Sequence, residues 1–147
     1  EKDCLIDLPI DAHIPEDYIE SVPQRLQIYR RIADIKTDDD ASDVIDELVD
    51  RFGDPPASVE GLIRIALLRG KASANDVYEI TRQNDCVLLK LSAMNMEKIA
   101  RAAGHFKGRF VVKAGRDVPH IEVRLLKGEK QLSLIERIFD YMEESDK

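Results

Sequence analysis

The chain has 147 residues, 44% of them hydrophobic and 35% charged, with a formal net charge of -7. That length supports one domain with a real core, or two small subdomains sharing one. No apolar run approaches the roughly 20 residues that span a bilayer, the acidic start EKDCLIDLP has no signal-peptide pattern, and the widely spaced Cys4 and Cys86 exclude a disulfide scaffold and fit reduced thiols in a cytoplasmic protein.

The first residue is not Met, so the chain reads as a segment of a longer protein. LIDLPIDAHIPEDYI is expected to be extended, because Pro9 and Pro15 interrupt any helix across it. Its Leu5, Ile6, Leu8, Ile10, Ile14 and Ile19 are apolar enough to pack across other elements. From Pro23 a helical period begins, with Leu26, Tyr29, Ile32, Ala33 and Lys36 on one stripe and Ile28 and Ile35 widening it. Thr37 is placed as an N-cap, with three aspartates in the first turn at the positive end of the helix dipole. The helix it opens repeats as Ala41, Val44, Ile45, Leu48, Val49 and Phe52, and Gly53 is expected to stop it in the left-handed region. Asp54 is a candidate cap for a third helix, with Pro55 or Pro56 in its first turn and Val59, Leu62, Ile63, Ala66 and Leu67 on its apolar face. So short a connection predicts an antiparallel helical hairpin.

After residue 75 the period changes. VYEITR and VLLKLS read as a strand pair turning at QND. Asn95 is a cap for a helix burying Met96, Ile99, Ala100, Ala103 and Phe106. RFVVKA and HIEVRLL form a second strand pair, and a helix on Leu132, Ile135, Ile138, Phe139 and Met142 closes the chain. The predicted class is α+β: an extended segment and helical hairpins, then antiparallel strand pairs with two packing helices. Residues 1–147 are taken as one domain, with a mainly helical half over 1–74 and a ββαββα half over 75–147.

Catalytic patterns fail one by one. Gly70-Lys71 is followed by Ala72 inside a helical pattern, so no phosphate-wrapping P-loop is present. Asp46-Glu47 looks like the acidic pair of a helicase motor, but that pair follows a buried strand and this one lies mid-helix. His120-Ile121-Glu122 matches the HxE of zinc deaminases without the PCxxC that must follow it. No serine sits in a nucleophile elbow. No catalytic residue, cofactor site or metal site is predicted.

Charge is unevenly distributed. Residues 1–60 carry 6 basic and 17 acidic side chains, whereas residues 98–130 carry 9 basic and 3 acidic. The basic stretch, including Arg109, Lys113 and Arg116, is one candidate for phosphate contact. It has few aromatic stacking platforms, so a nucleic-acid-binding module is the alternative reading. On the second helix Asp43, Glu47, Asp50 and Asp54 form an acidic ridge. Glu47 and Asp50, three apart, repel if both are ionised, which offers the fold nothing. A partner's arginines are the natural complement, with a solvated helix face as the plain alternative.

DLPIDAHIPEDYI, RLQIYRRIA, ELVDRFGDPP and LIRIALLR together resemble the C-terminal domain of bacterial transcription-repair coupling factors, closely over residues 5–69 and loosely beyond residue 75. The resemblance implies a regulatory domain of an ATP-dependent DNA translocase that acts with RNA polymerase, UvrA and DNA. It implies docking on the UvrB-like domain of the same polypeptide, which masks UvrA recruitment and restrains the motor. The acidic residues of the ELxDRFG motif map onto Glu47 and Asp50, with Arg51 beside them, as the partner-binding set.

Overall fold

Residues 3–144 are described by the computed structural model. They contain five α-helices and one five-stranded mixed sheet, in the order β1 (Leu5–Asp7), α1 (Val22–Ala33), α2 (Asp38–Phe52), α3 (Ala57–Ala74), β2 (Val77–Gln83), β3 (Cys86–Leu91), α4 (Met96–Ala103), β4 (Phe110–Lys113), β5 (His120–Arg124) and α5 (Gln131–Glu143). The described residues divide into two compact units, residues 10–70 and, discontinuously, residues 3–9 with 71–144.

In the helical unit, Ser21 caps α1 by accepting from the Gln24 N–H, with Pro23 in the first turn where no N–H is needed. Thr37 caps α2 in a full capping box: its hydroxyl accepts from the Asp40 N–H at 3.1 Å, and the Asp40 carboxylate accepts from the Thr37 and Lys36 N–H groups. Those backbone donors hold the Asp40 carboxyl below its ordinary range, the Lys36 N–H foremost. Gly53 ends α2 at φ +86°, ψ −173°, which is not the expected left-handed helical value but a region still more restricted to glycine. Asp54 does not cap α3; the Pro56 carbonyl accepts from the Val59 and Glu60 N–H groups instead, because α3 starts two residues later than expected.

The core of this unit is Ile14, Ile19, Ile28, Ile32, Ile35, Ala41, Val44, Leu48, Val59, Ile63 and Ala66. The segment before α1 is therefore anchored, as its apolar content suggested. The Ile14 N–H donates to the Tyr29 hydroxyl at 2.8 Å, and the Arg25 guanidinium donates to the Ile19 carbonyl at 2.7 Å. Gly70 lies where a Cβ would stand 3.0 Å from the Lys36 carbonyl, so this glycine is a point of close packing. The buried stripes are narrower than the apolar periods. Leu26 is 51% exposed and α1 turns Ile28 and Ile32 inward instead.

In the second unit the hairpin β2–β3 turns at Asn84-Asp85, with Asn84 at φ +56°. The β4–β5 pair joins it through antiparallel β3–β5 pairing, Leu89 opposite Ile121 and Val87 opposite Val123. The sheet order is β1-β2-β3-β5-β4. Only antiparallel pairs were expected, but β1 adds in parallel beside β2, Ile6 opposite Ile80. The strand residues Val77, Ile80, Val87, Leu89, Ile121 and Val123 are buried, a register shift in β2 bringing both Val77 and Ile80 inward, together with Ile99, Ala102 and Phe106 and the α5 residues Leu132, Ile135, Ile138, Phe139 and Met142. Met96, expected inside, is 55% exposed: α4 presents its Ile99–Ala102 side to the core instead. Asn75 is buried, donating to the Lys71 carbonyl and the Glu143 carboxylate and accepting from Lys98 Nζ. All its side-chain polar atoms are thus satisfied within the unit.

Candidate partner-binding face

The outer side of α2 is built by a simple subtraction. Ala41, Val44 and Leu48 are buried, which leaves Asp43, Asp46 and Asp50 exposed on the opposite side. Asp50 is exposed and forms no ion pair among the described residues. Two aliphatics that the period assigned to the core, Ile45 at 37% and Val49 at 43%, are exposed beside these carboxylates. An acidic row with an apolar margin can accept guanidinium or ammonium groups and bury a few aliphatic atoms at once.

Glu47 is different from Asp50. Its Oε2 accepts from Arg51 Nη1 at 2.8 Å, an i,i+4 pair along the helix, and its Oε1 is paired with Arg31 Nη1 from α1. Glu47 is therefore compensated twice over within its own unit, and the expected repulsion with Asp50 is offset by these cations. The pairing with Arg51 was readable from spacing, because Glu four residues before Arg is the favourable orientation. Arg31 was not: only the packing of α1 against α2 brings it there.

Arg51 also lies over the Phe52 ring, 4.9 Å from its centroid, and Phe52 meets Tyr18 at 5.9 Å in a tilted pair. The Tyr18 hydroxyl donates to the Gly53 carbonyl at 2.8 Å and so ties the end of α2 to the preceding segment. Burial, and then the nearby Asp54 charge, raise the Tyr18 hydroxyl above its ordinary pKa. A shallow cleft of about 660 Å³ runs beside these groups, edged by Asp17, Glu20, Gln24 and Arg51. The three predicted site residues thus fall on one helix end, but with different environments: Asp50 open, Glu47 and Arg51 engaged with each other.

Part of the basic stretch over 98–130 is engaged within the fold. Arg109 makes a bidentate pair with Glu129 at 2.5 and 3.0 Å and stacks on Phe106 at 5.2 Å. Lys113 pairs with Glu122 at 3.0 Å, Lys98 donates to Asn75 and Arg101 to the Glu144 carbonyl. The Arg109 hydrogen bond is the main reason the Glu129 carboxyl lies below its ordinary range; Lys113, and then His120, do the same for Glu122. Four of the nine cations are thereby engaged internally. Among the described residues no cluster of three His, Cys, Asp or Glu side chains could hold a metal ion, and no helix is long and apolar enough to cross a membrane.

The family model for the TRCF domain matches residues 8–111. The transcription-repair-coupling factor of Mycobacterium bovis is 37% identical over 100 residues, which cover 68% of this chain and 8% of that protein. The factor of Bacillus subtilis is 36% identical over 87 residues, covering 59% of this chain and 7% of that protein. The chain thus spans under a tenth of the length of these relatives. In fold it is similar to the solved C-terminal domain of a transcription-repair coupling factor, with a TM-score of 0.82 over 96% of this chain and 92% of that one at 18% identity.

Proposed function

Because this chain belongs to the TRCF domain family, we propose that it is a non-catalytic regulatory domain of a transcription-repair coupling translocase, docking through the outer face of α2 on the UvrB-like domain of the same polypeptide. Docking masks the surface that recruits UvrA and holds the motor in a restrained state; engagement of RNA polymerase and DNA by the parent protein releases it. The observation that carries this reading is the exposed Asp50 on an acidic helix face bordered by Ile45 and Val49. Neither the core nor an internal ion pair accounts for those three side chains, and a basic, partly apolar protein surface complements them.

The mechanism is a shift between closed and open populations. A contact between tethered domains works at the effective concentration set by the tether, about millimolar for a short flexible linker. A modest intrinsic affinity then suffices to keep the closed state dominant, and a ligand that prefers the open state reverses it by its differential affinity. Within the parent protein, Glu47→Lys with Asp50→Lys is expected to unmask UvrA recruitment. UvrA capture by the full-length parent, with and without the two reversals, is the test. Increased capture supports the masking role, and unchanged capture removes α2 from it.

A further inference from the structure

Glu47 is compensated by two cations of its own unit, which its proposed role does not need. Both of its carboxylate oxygens are taken, Oε1 by Arg31 and Oε2 by Arg51. The three side chains together bear one net positive charge, in the midst of the negative Asp43, Asp46 and Asp50. A guanidinium arriving from a partner would meet two guanidiniums already in place, and like charges at contact distance repel.

The two arginines are not equally fixed. Arg51 is on the same helix, four residues on, and rests on the Phe52 ring. Arg31 reaches over from α1, is 40% exposed, and has Glu47 as its sole ion-pair partner among the described residues. It also stands in the last turn of α1, where the helix dipole favours a cation wherever the side chain points. Arg31 can therefore leave Glu47 for solvent without becoming an unfavourable charge, while Arg51 cannot leave without losing its ring contact.

We infer that Arg31 is a displaceable internal ligand of Glu47, standing in the undocked domain where a partner's guanidinium stands in the docked one. This rests on the docking reading above and adds its regulation. Asp50, which has no internal competitor, receives the first partner cation. Glu47 is reached only when Arg31 is exchanged, so docking is weakened by the exchange and favours a partner held nearby by its tether over one met in solution.

The test is a calorimetric titration of this chain with the UvrB-like domain of its parent polypeptide, for the native sequence, Arg31→Ala, Arg31→Gln and the combination of each with Glu47→Gln. Thermal unfolding of each variant identifies any that is unfolded, and the glutamine variant keeps the stem if alanine disturbs packing. Removing Arg31 is expected to tighten binding roughly two- to fivefold, the range of an exposed ion pair. The gain should vanish when Glu47 is already Gln, since the two changes act on one contact. Binding that is unchanged or weaker without Arg31, or a gain that persists without Glu47, overturns the exchange and leaves the docking intact. Absence of binding by the native chain and by both single variants overturns the docking and the exchange with it.

Discussion

At the scale of single residues, ELVDRFGDPP separates into positions with structural duties and positions without them. Leu48 is core, Phe52 packs on Tyr18, and Gly53 holds φ +86° with extended ψ. Nothing within 4 Å would obstruct a Cβ at Gly53, so the cost of replacing it is purely conformational. Gly53→Ala is expected to destabilise the chain by about 1–3 kcal/mol, read as a lowered midpoint in urea; an unchanged midpoint would mean that the α2 terminus relaxes freely. Glu47 shows where sequence and structure part company. Its carboxylate was readable as a surface acid and its Arg51 partner from spacing, but Arg31 lies 16 positions upstream and only a helix crossing reveals it. Asp50 is exposed and forms no ion pair among the described residues.

At the scale of elements, α2 was the most legible part of the chain. Its cap, its acidic first turn and its end all follow from short-range chemistry: an oxygen for an orphan N–H, charge at a dipole, and a glycine where others strain. Thr37→Ala is expected to cost about 1 kcal/mol in thermal or urea unfolding, and Thr37→Ser to recover most of it. Equal loss in both would assign Thr37 a packing role rather than a cap. Which apolar residues face inward was less legible. In α1 the stripes through Leu26 and through Ile28 overlap, and both satisfy helical spacing, so only the neighbouring elements decide between them. The exposed Ile45 and Val49 carry the same lesson with a functional consequence: a period that is wider than the core leaves apolar atoms beside the acids.

At the scale of the whole molecule, the two hairpins were legible from their turns and alternation, but their union through β3 and β5 was not, because antiparallel pairing between distant strands leaves no local mark. The three-residue β1 was hidden for a similar reason: Leu5–Asp7 gains its strand character from β2, far along the chain. Glu129 ties the β4–β5 end of the sheet to α5, pairing with Arg109 just before β4 and with Arg137 of α5. Its carboxyl lies below the ordinary value of 4.5 because Arg109 donates to it, so its contribution is present above that pH and is lost as pH falls through the depressed folded value. Unfolding free energy should therefore fall below about pH 4.5, and Glu129→Gln should flatten that part of the profile; an unaltered acid limb would show that Glu129 is not a source of it. The acidic outer face of α2 remains the feature on which the functional account stands. Calorimetric titration of the native chain and Asp50→Lys against the UvrB-like domain tests it most directly. The account predicts measurable binding that weakens with salt and drops at least about tenfold on charge reversal. Equal affinity for both chains, at every salt concentration, would contradict it.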